Sequence, residues 1–184
     1  SLYFTVLGES AIKMLRYQQQ YTFFDPAKLP DAIRFINLSQ IVLEKDLGAV
    51  LAEITKEVER ANPAVVVVDS FRTMMRQPKS DMDLQSFIQR LALSLASWQA
   101  TTFLIGEYAE EELRDNPIFT VADGLFWLRQ TTERNSIVRK LQIIKLRGQA
   151  SVPGLHTFRI TDAGVQAFSR TFGLTARVRN PVGQ

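Results

Sequence analysis

The sequence predicts an α/β fold: a parallel sheet flanked by helices, with an antiparallel β extension at the C-terminal end. Three observations predict it. Val65-Val66-Val67-Val68 is a run of four β-branched apolar residues ending in Asp69-Ser70, the pattern of a strand inside a parallel sheet. Strand and helix patterns alternate up to about residue 116, an order that builds parallel sheets through crossover connections. After Asn116, strands follow one another with short joins, which makes them antiparallel neighbours.

The elements follow in order. Ser1–Leu7 reads as a strand, with Leu2, Tyr3, Phe4, Val6 and Leu7 apolar or β-favouring. Ser10 can cap a helix running to about Gln20. Phe35–Leu38 is a short strand. Asp46 caps a helix to about Ala61 whose Leu47, Val50, Leu51, Ile54 and Val58 share one face, and Asn62-Pro63 stops it. The Val65–Asp69 strand comes next. Asp81 or Asp83 caps a helix carrying Leu84, Phe87, Ile88, Leu91, Leu95 and Trp98 at helical spacing. Thr102–Ile105 is a short buried strand. Ala122–Arg129 and Ile137–Leu146 are long strands joined by the polar turn region Gln130–Ser136. Thr157–Ile160 and Val165–Phe168 are joined through Thr161–Gly164, where Asp162-Ala163-Gly164 is a turn signal.

At 184 residues the chain is one domain, read as a core over 1–170 and a tail or linker over 171–184. It contains no Cys and a single His, His156, which excludes a disulfide framework and a thiolate metal site and argues against a zinc or triad-type site. No apolar stretch is long enough to span a membrane and no leader pattern opens the chain, so a cytoplasmic protein with no membrane partner is expected. Residues 129–184 hold ten Lys/Arg against two acids, so that segment is +8 and residues 1–128 are −5 within the overall +3. A basic end on an acidic body suits an anionic partner: a nucleotide, nucleic acid, or the acidic face of another copy. On charge alone it describes a solvated basic face at least as well.

Single residues allow two readings each. A carboxylate at the C-terminal end of a central strand lies where open α/β sheets bind ligands, and Asp69 there can hold the water shell of a nucleotide-bound Mg²⁺. Asp69-Ser70 also suits a helix N-cap. Glu9 could cap the helix beginning near Ser10. Lys145 and Arg147, two apart, share one side of a strand and could simply guard a sheet edge. Arg72 and Arg76 could line a surface or cover a helix. His156 reads as structural or as a surface residue, and Trp98 and Trp127 as core.

Four segments, in this order, resemble the KaiC-type ATPases of the RecA superfamily: Phe4–Glu9-Ser10; Val65–Asp69-Ser70; Ala122-Asp123-Gly124; and Lys145-Leu146-Arg147-Gly148 followed by Pro153-Gly154 and Ile160-Thr161-Asp162-Ala163-Gly164. The last is the most specific, and the resemblance spans nearly the whole chain. It implies a RecA-like sheet, ATP and Mg²⁺ as cofactors, and self-association into a hexameric ring with a signalling protein as possible partner. It implies roles as well. Asp69 matches the Walker B acid supporting Mg²⁺, followed by Ser70. Glu9 matches a glutamate acting on the attacking water or hydroxyl. Lys145 and Arg147, flanking Leu146, match a pair reaching the γ-phosphate of a neighbouring subunit, an arginine-finger role. Thr161 and Asp162 match positions near the nucleotide across that interface, and Gln20 a position near the base.

The chain departs from the family in four places. No G-x-x-x-x-G-K-[ST] occurs in the 184 residues, so the phosphate cradle is expected upstream of Ser1. Gly8 stands where the family has a first catalytic glutamate, which predicts slow hydrolysis, since losing a base typically costs ~10²–10⁴-fold. Ser151 stands where one domain type of the family carries a His near the nucleotide. Thr120 sits near a phosphorylated position, but Phe119 replaces the hydroxyl residue before it. Two other functions compete with the ATPase. The basic segment suits a RadA-like DNA-binding recombinase relative, although no aromatic-interleaved basic loop accompanies it. Gly8 and the missing cradle suit a non-catalytic interaction module.

Overall fold

The structure, a computed structural model, describes residues 1–6, 11–29, 31–44, 46–75 and 81–169. Its contacts divide the chain into two compact units, Ser1–Ala122 and Asp123–Gln184. The boundary falls where parallel order gives way to antiparallel order.

In the first unit, β1 (Leu2–Thr5), β2 (Arg34–Asn37), β3 (Val65–Asp69) and β4 (Thr101–Ile105) form one parallel sheet in the order β2-β1-β3-β4. Between them run α1 (Ala11–Gln18), α2 (Ser39–Glu44), α3 (Leu47–Ala61), α4 (Phe71–Met75) and α5 (Asp81–Ser97); α6 (Glu112–Asp115) and α7 (Ile118–Val121) follow β4. The expected parallel α/β core is present. Alternation decides its layers, because successive side chains of a strand take opposite faces. Leu2, Phe4, Val66 and Val68 point into the core, at most 2% exposed. They meet Val50, Leu51, Ile54 and Val58 of α3 and Phe87, Ile88 and Leu91 of α5. Register puts Tyr3, Phe35, Val67 and Phe103 on the opposite face. Val65 and Val67 are therefore half-buried, although the valine run reads as buried on both sides.

Helix ends carry local signals. Asp46 Oδ1 accepts from Ala49 N–H at 2.8 Å to start α3. Asn62, in the left-handed region at φ 42°, ends it with its N–H on the Val58 carbonyl. Glu57 of α3, only 9% exposed, holds Arg60 at 2.9 Å and Arg34 of β2, tying helix to strand. Helix α5 begins at Asp81, so Asp81 and Asp83 lie within its first turn rather than one of them preceding it. α2 has no counterpart in the sequence pattern, and α4 is signalled only by the Asp69-Ser70 cap reading and the spacing of Arg72 and Arg76. Helices of five or six residues are too short to display a 3.6-residue period. They start instead from side-chain acceptors: Asn37 Oδ1 takes Ser39 N–H at 2.8 Å, and Ser70 Oγ takes Thr73 N–H at 3.3 Å.

The second unit is an antiparallel meander of β5 (Gly124–Glu133), β6 (Ser136–Leu146), β7 (Leu155–Thr161) and β8 (Gly164–Phe168). The expected turn over Gln130–Ser136 shrinks to Arg134-Asn135, both at positive φ (48° and 61°), with Glu133 opposite Ser136. That is the two-residue hairpin geometry that matches strand twist. Residues 130–137 are exposed and largely polar, so backbone pairing extends the ribbon where no apolar alternation marks it. His156 and Phe158 are buried at 6% each, and the His156 ring lies 2.9 Å (Nε2) from the Val152 carbonyl oxygen. His156 is thus structural, as its surroundings in the sequence suggest. Trp98 is buried and Trp127 half-buried. The segment 171–184 lies outside the described residues.

Candidate functional site

Asp69 closes β3, an interior strand with β1 on one side and β4 on the other. It sits at the C-terminal edge of the parallel sheet, the edge where open α/β sheets take ligands. Two competing readings of Asp69-Ser70 are divided between the two residues. Ser70 caps α4, while Asp69 ends the strand with its side chain half-buried. The peptide between them is cis.

One side chain that the sequence does not single out meets Asp69. Tyr3 of β1 pairs with Val67, so Asp69 is its diagonal neighbour on the same face. The Tyr3 phenol donates to Asp69 Oδ2 at 2.8 Å, and the Tyr3 ring packs 5.3 Å from that of Phe35 in β2. Burial, then the hydrogen bond to Asp69 and the Asp69 charge, push the Tyr3 phenol well above its ordinary range. It therefore stays a protonated donor. Finding this pair requires the β1–β3 register, which one sequence does not give.

The described residues contain no group of three or more His, Cys, Asp or Glu able to hold a metal. A lone half-buried acid at a strand end fits Mg²⁺ all the same, because that ion keeps several waters and is commonly held by one or two carboxylates plus substrate phosphates.

A second cluster stands beside the first. Arg72 of α4 donates through Nη2 to Glu112 Oε1 and Oε2 at 3.0 and 2.8 Å, and lies 5.5 Å from the Tyr108 ring. Burial is the main cause that pushes the Tyr108 phenol up to about 12; Arg72 lowers it and Glu112 raises it. Arg72, Met75, Leu84, Tyr108, Glu112 and Pro117 line a groove of about 430 Å³. Arg72 is thus ion-paired, and Arg76 lies outside the described residues. Gly106 lets β4 and α4 approach: a Cβ there would meet Arg72 Cβ at 2.8 Å and Tyr108 Cε2 at 2.7 Å. Gly106→Ala is expected to cost about 1–3 kcal/mol, read as a lower urea midpoint. An unchanged midpoint would mean that this approach relaxes freely.

Of the other sequence-nominated residues, Glu9 lies outside the described residues, with Gly8 and Ser10. Gln20 is exposed in the turn after α1. Lys145 and Leu146 end β6, and Arg147 follows. The Arg147 N–H bonds the Asp123 carbonyl at 2.8 Å, and its Nη1 lies 3.1 Å from Asp123 Oδ1. Thr161 ends β7 with Oγ1 donating to the Gly164 carbonyl at 3.2 Å, and Asp162 begins the hairpin turn. Because Lys140 pairs with Thr157 and Gln142 with Leu155, β7 runs back toward the start of β6. Thr161 and Asp162 therefore lie at the opposite end of the sheet from Lys145 and Arg147. Thr120 Oγ1 is engaged, donating to the Pro117 carbonyl at 2.7 Å.

Comparisons with known proteins agree with this architecture. The KaiC-like protein PH0186 from Pyrococcus horikoshii OT3 superposes with a TM-score of 0.75 at 18% identity, covering 91% of this chain and 75% of its own; that likeness concerns the fold. The circadian clock oscillator protein KaiC of Synechococcus elongatus is 30% identical over 129 residues, 67% of this chain and 24% of that protein. KaiC 1 of Synechocystis is 28% identical over 135 residues, 70% of this chain and 25% of that protein. The chain thus spans about a quarter of the length of these relatives. A family model described as "ATPase: KaiC" matches residues 11–171. With a parallel α/β sheet ending in Asp69 and a meander carrying Lys145 and Arg147, the chain belongs to the KaiC ATPase family, a RecA-type domain.

Proposed function

We propose that this chain supplies the metal-side acid and the interface cations of an ATPase working between adjoining copies in a cytoplasmic ring of six, turning ATP over slowly as a signal to a protein partner. The observation that carries the reading is Asp69: a half-buried carboxylate at the C-terminal end of an interior parallel strand, oriented by Tyr3. Family membership supports ATP as the nucleotide.

Asp69 would hold Mg²⁺ through water, and that ion, when bound, offsets charge on phosphate oxygens. Ser70 continues the same edge. Glu9 would orient the attacking water, alone because residue 8 is glycine; the slow rate follows from that. Lys145 and Arg147, presented by the end of β6, would reach the phosphates of a neighbour's nucleotide, with Leu146 between them as spacer. Thr161 and Asp162 would lie near a nucleotide at the other end of the meander, not beside Lys145 and Arg147, and Gln20 would lie near the base. The domain would extend over 1–170, with 171–184 as linker.

The test is ATP binding and phosphate release by the full-length natural protein, titrated with Mg²⁺, for wild type and Asp69→Asn. Wild type should bind ATP, and should release phosphate only with Mg²⁺. Asp69→Asn should be slower by about 10²-fold, the scale of removing one electrostatic element from a transition state. Equal rates, or no ATP binding by wild type, would remove the assignment.

A further inference from the structure

We infer that Tyr3 is a positioning residue for Asp69, setting which carboxylate oxygen faces the metal side; this rests on the proposed role of Asp69 in holding Mg²⁺. The argument starts from the strand. β1 alternates, and its inward residues Leu2 and Phe4 are 2% and 0% exposed. Tyr3, between them, belongs to the other face, where an apolar side chain would suffice for packing. It instead ends in a hydroxyl that reaches diagonally across to β3 and donates to Asp69 Oδ2 at 2.8 Å. Phe35, directly opposite Tyr3 in β2, packs on its ring at 5.3 Å. Three neighbouring strands thus contribute a brace, a ring and a carboxylate in a line.

The chemistry of the donor suits this task. A carboxylate swings about its terminal torsion, which has no sharp preference of its own. A hydrogen bond to one oxygen fixes that torsion and directs the other oxygen. Arg or Lys would do so too, but would cancel the negative charge that attracts a hydrated cation. A phenol is neutral, so Asp69 keeps its charge. A phenol, with an ordinary pKa of about 10, is a donor at neutral pH. Groups that orient metal-holding residues in this way typically change metal affinity or activity by about 10–100-fold when removed.

The experiment is Tyr3→Phe in the full-length natural protein, which deletes one oxygen and keeps the ring against Phe35. Phosphate release from ATP is followed against Mg²⁺ concentration, alongside ATP affinity in EDTA and the thermal midpoint. The expected result is a half-saturating Mg²⁺ raised about tenfold or more, with metal-free ATP affinity unchanged. A lowered thermal midpoint with an unchanged Mg²⁺ requirement would overturn the proposal, leaving Tyr3 as a strand-to-strand pin. Asp69→Asn separates the levels. If it raises the Mg²⁺ requirement while Tyr3→Phe does nothing, the positioning role alone fails. If neither variant alters Mg²⁺ dependence, the metal-side role of Asp69 fails with it.

Discussion

Arg147→Ala in the full-length protein is expected to slow phosphate release by about 10³-fold or more, the range seen when an arginine finger is removed from a phosphoryl-transfer site. Its ATP affinity and thermal midpoint should move little. Arg147 sits just beyond β6, its backbone anchored by the 2.8 Å bond to the Asp123 carbonyl. Its guanidinium lies 3.1 Å from the Asp123 carboxylate, and the two side chains are 56% and 83% exposed. Exposed pairs of this kind contribute about 0–1 kcal/mol. The Asp123 pair therefore adds little to stability, while the backbone bond keeps Arg147 in place. Mixing decides whether the residue acts across an interface. Arg147→Ala protomers keep Asp69, and Asp69→Asn protomers keep Arg147. Each alone should be slowed as stated, and a mixture should regain activity at those interfaces where the two intact halves meet. Failure to regain any, with both variants folded, would place Arg147 and Asp69 in service of the same protomer. Normal turnover by Arg147→Ala would remove the finger altogether.

Much of the scaffold is legible in the residues, and the limits are physical. The valine run, the amphipathic helix after Asp46 and the change of pattern after Asn116 mark the parallel sheet, α3 and the meander, because each is long enough to show its period. α2 escapes, and α4 shows little beyond its cap, because each completes barely one turn and depends on Asn37 or Ser70 as starting acceptor. The β5–β6 ribbon runs further than expected because its outer part, with both faces polar, is held by backbone pairing. The site is less legible than the scaffold. Asp69 stands out because an acid after four valines is anomalous. Tyr3 and Glu112 do not, since each matters through a partner 66 or 40 residues away. Such pairs depend on strand order and register, which local pattern does not encode. The opposed positions of Lys145 and Thr161 illustrate this: both lie in one conspicuous motif, yet the meander carries them to two ends of a sheet.

Phe4→Ala is expected to destabilise the protein by about 3–5 kcal/mol, the usual cost of deleting a fully buried phenylalanine ring. Phe4 is 0% exposed and stands between Ile36 of β2 and Val68 of β3 in the sheet register. It packs in the cluster that includes Val50, Ile54, Phe71 and Phe87. A loss of that size is a large part of the 5–15 kcal/mol that holds a typical domain folded, so urea denaturation should show a much lower midpoint. Leu93→Ala, with Leu93 73% exposed on α5, should cost about 0.5 kcal/mol or less, as surface substitutions do. Phe4→Leu, which retains most of the apolar volume, should fall between the two. The neighbouring residue sharpens the test. Tyr3 and Phe4 are adjacent in sequence, but the strand sends one toward Asp69 and the other into the core. Phe4→Ala should therefore lower the midpoint strongly, and Tyr3→Phe should alter Mg²⁺ dependence while leaving the midpoint nearly in place. If the two variants exchanged these signatures, β1 would have to be turned by one residue, and the placement of Asp69 relative to the core would turn with it.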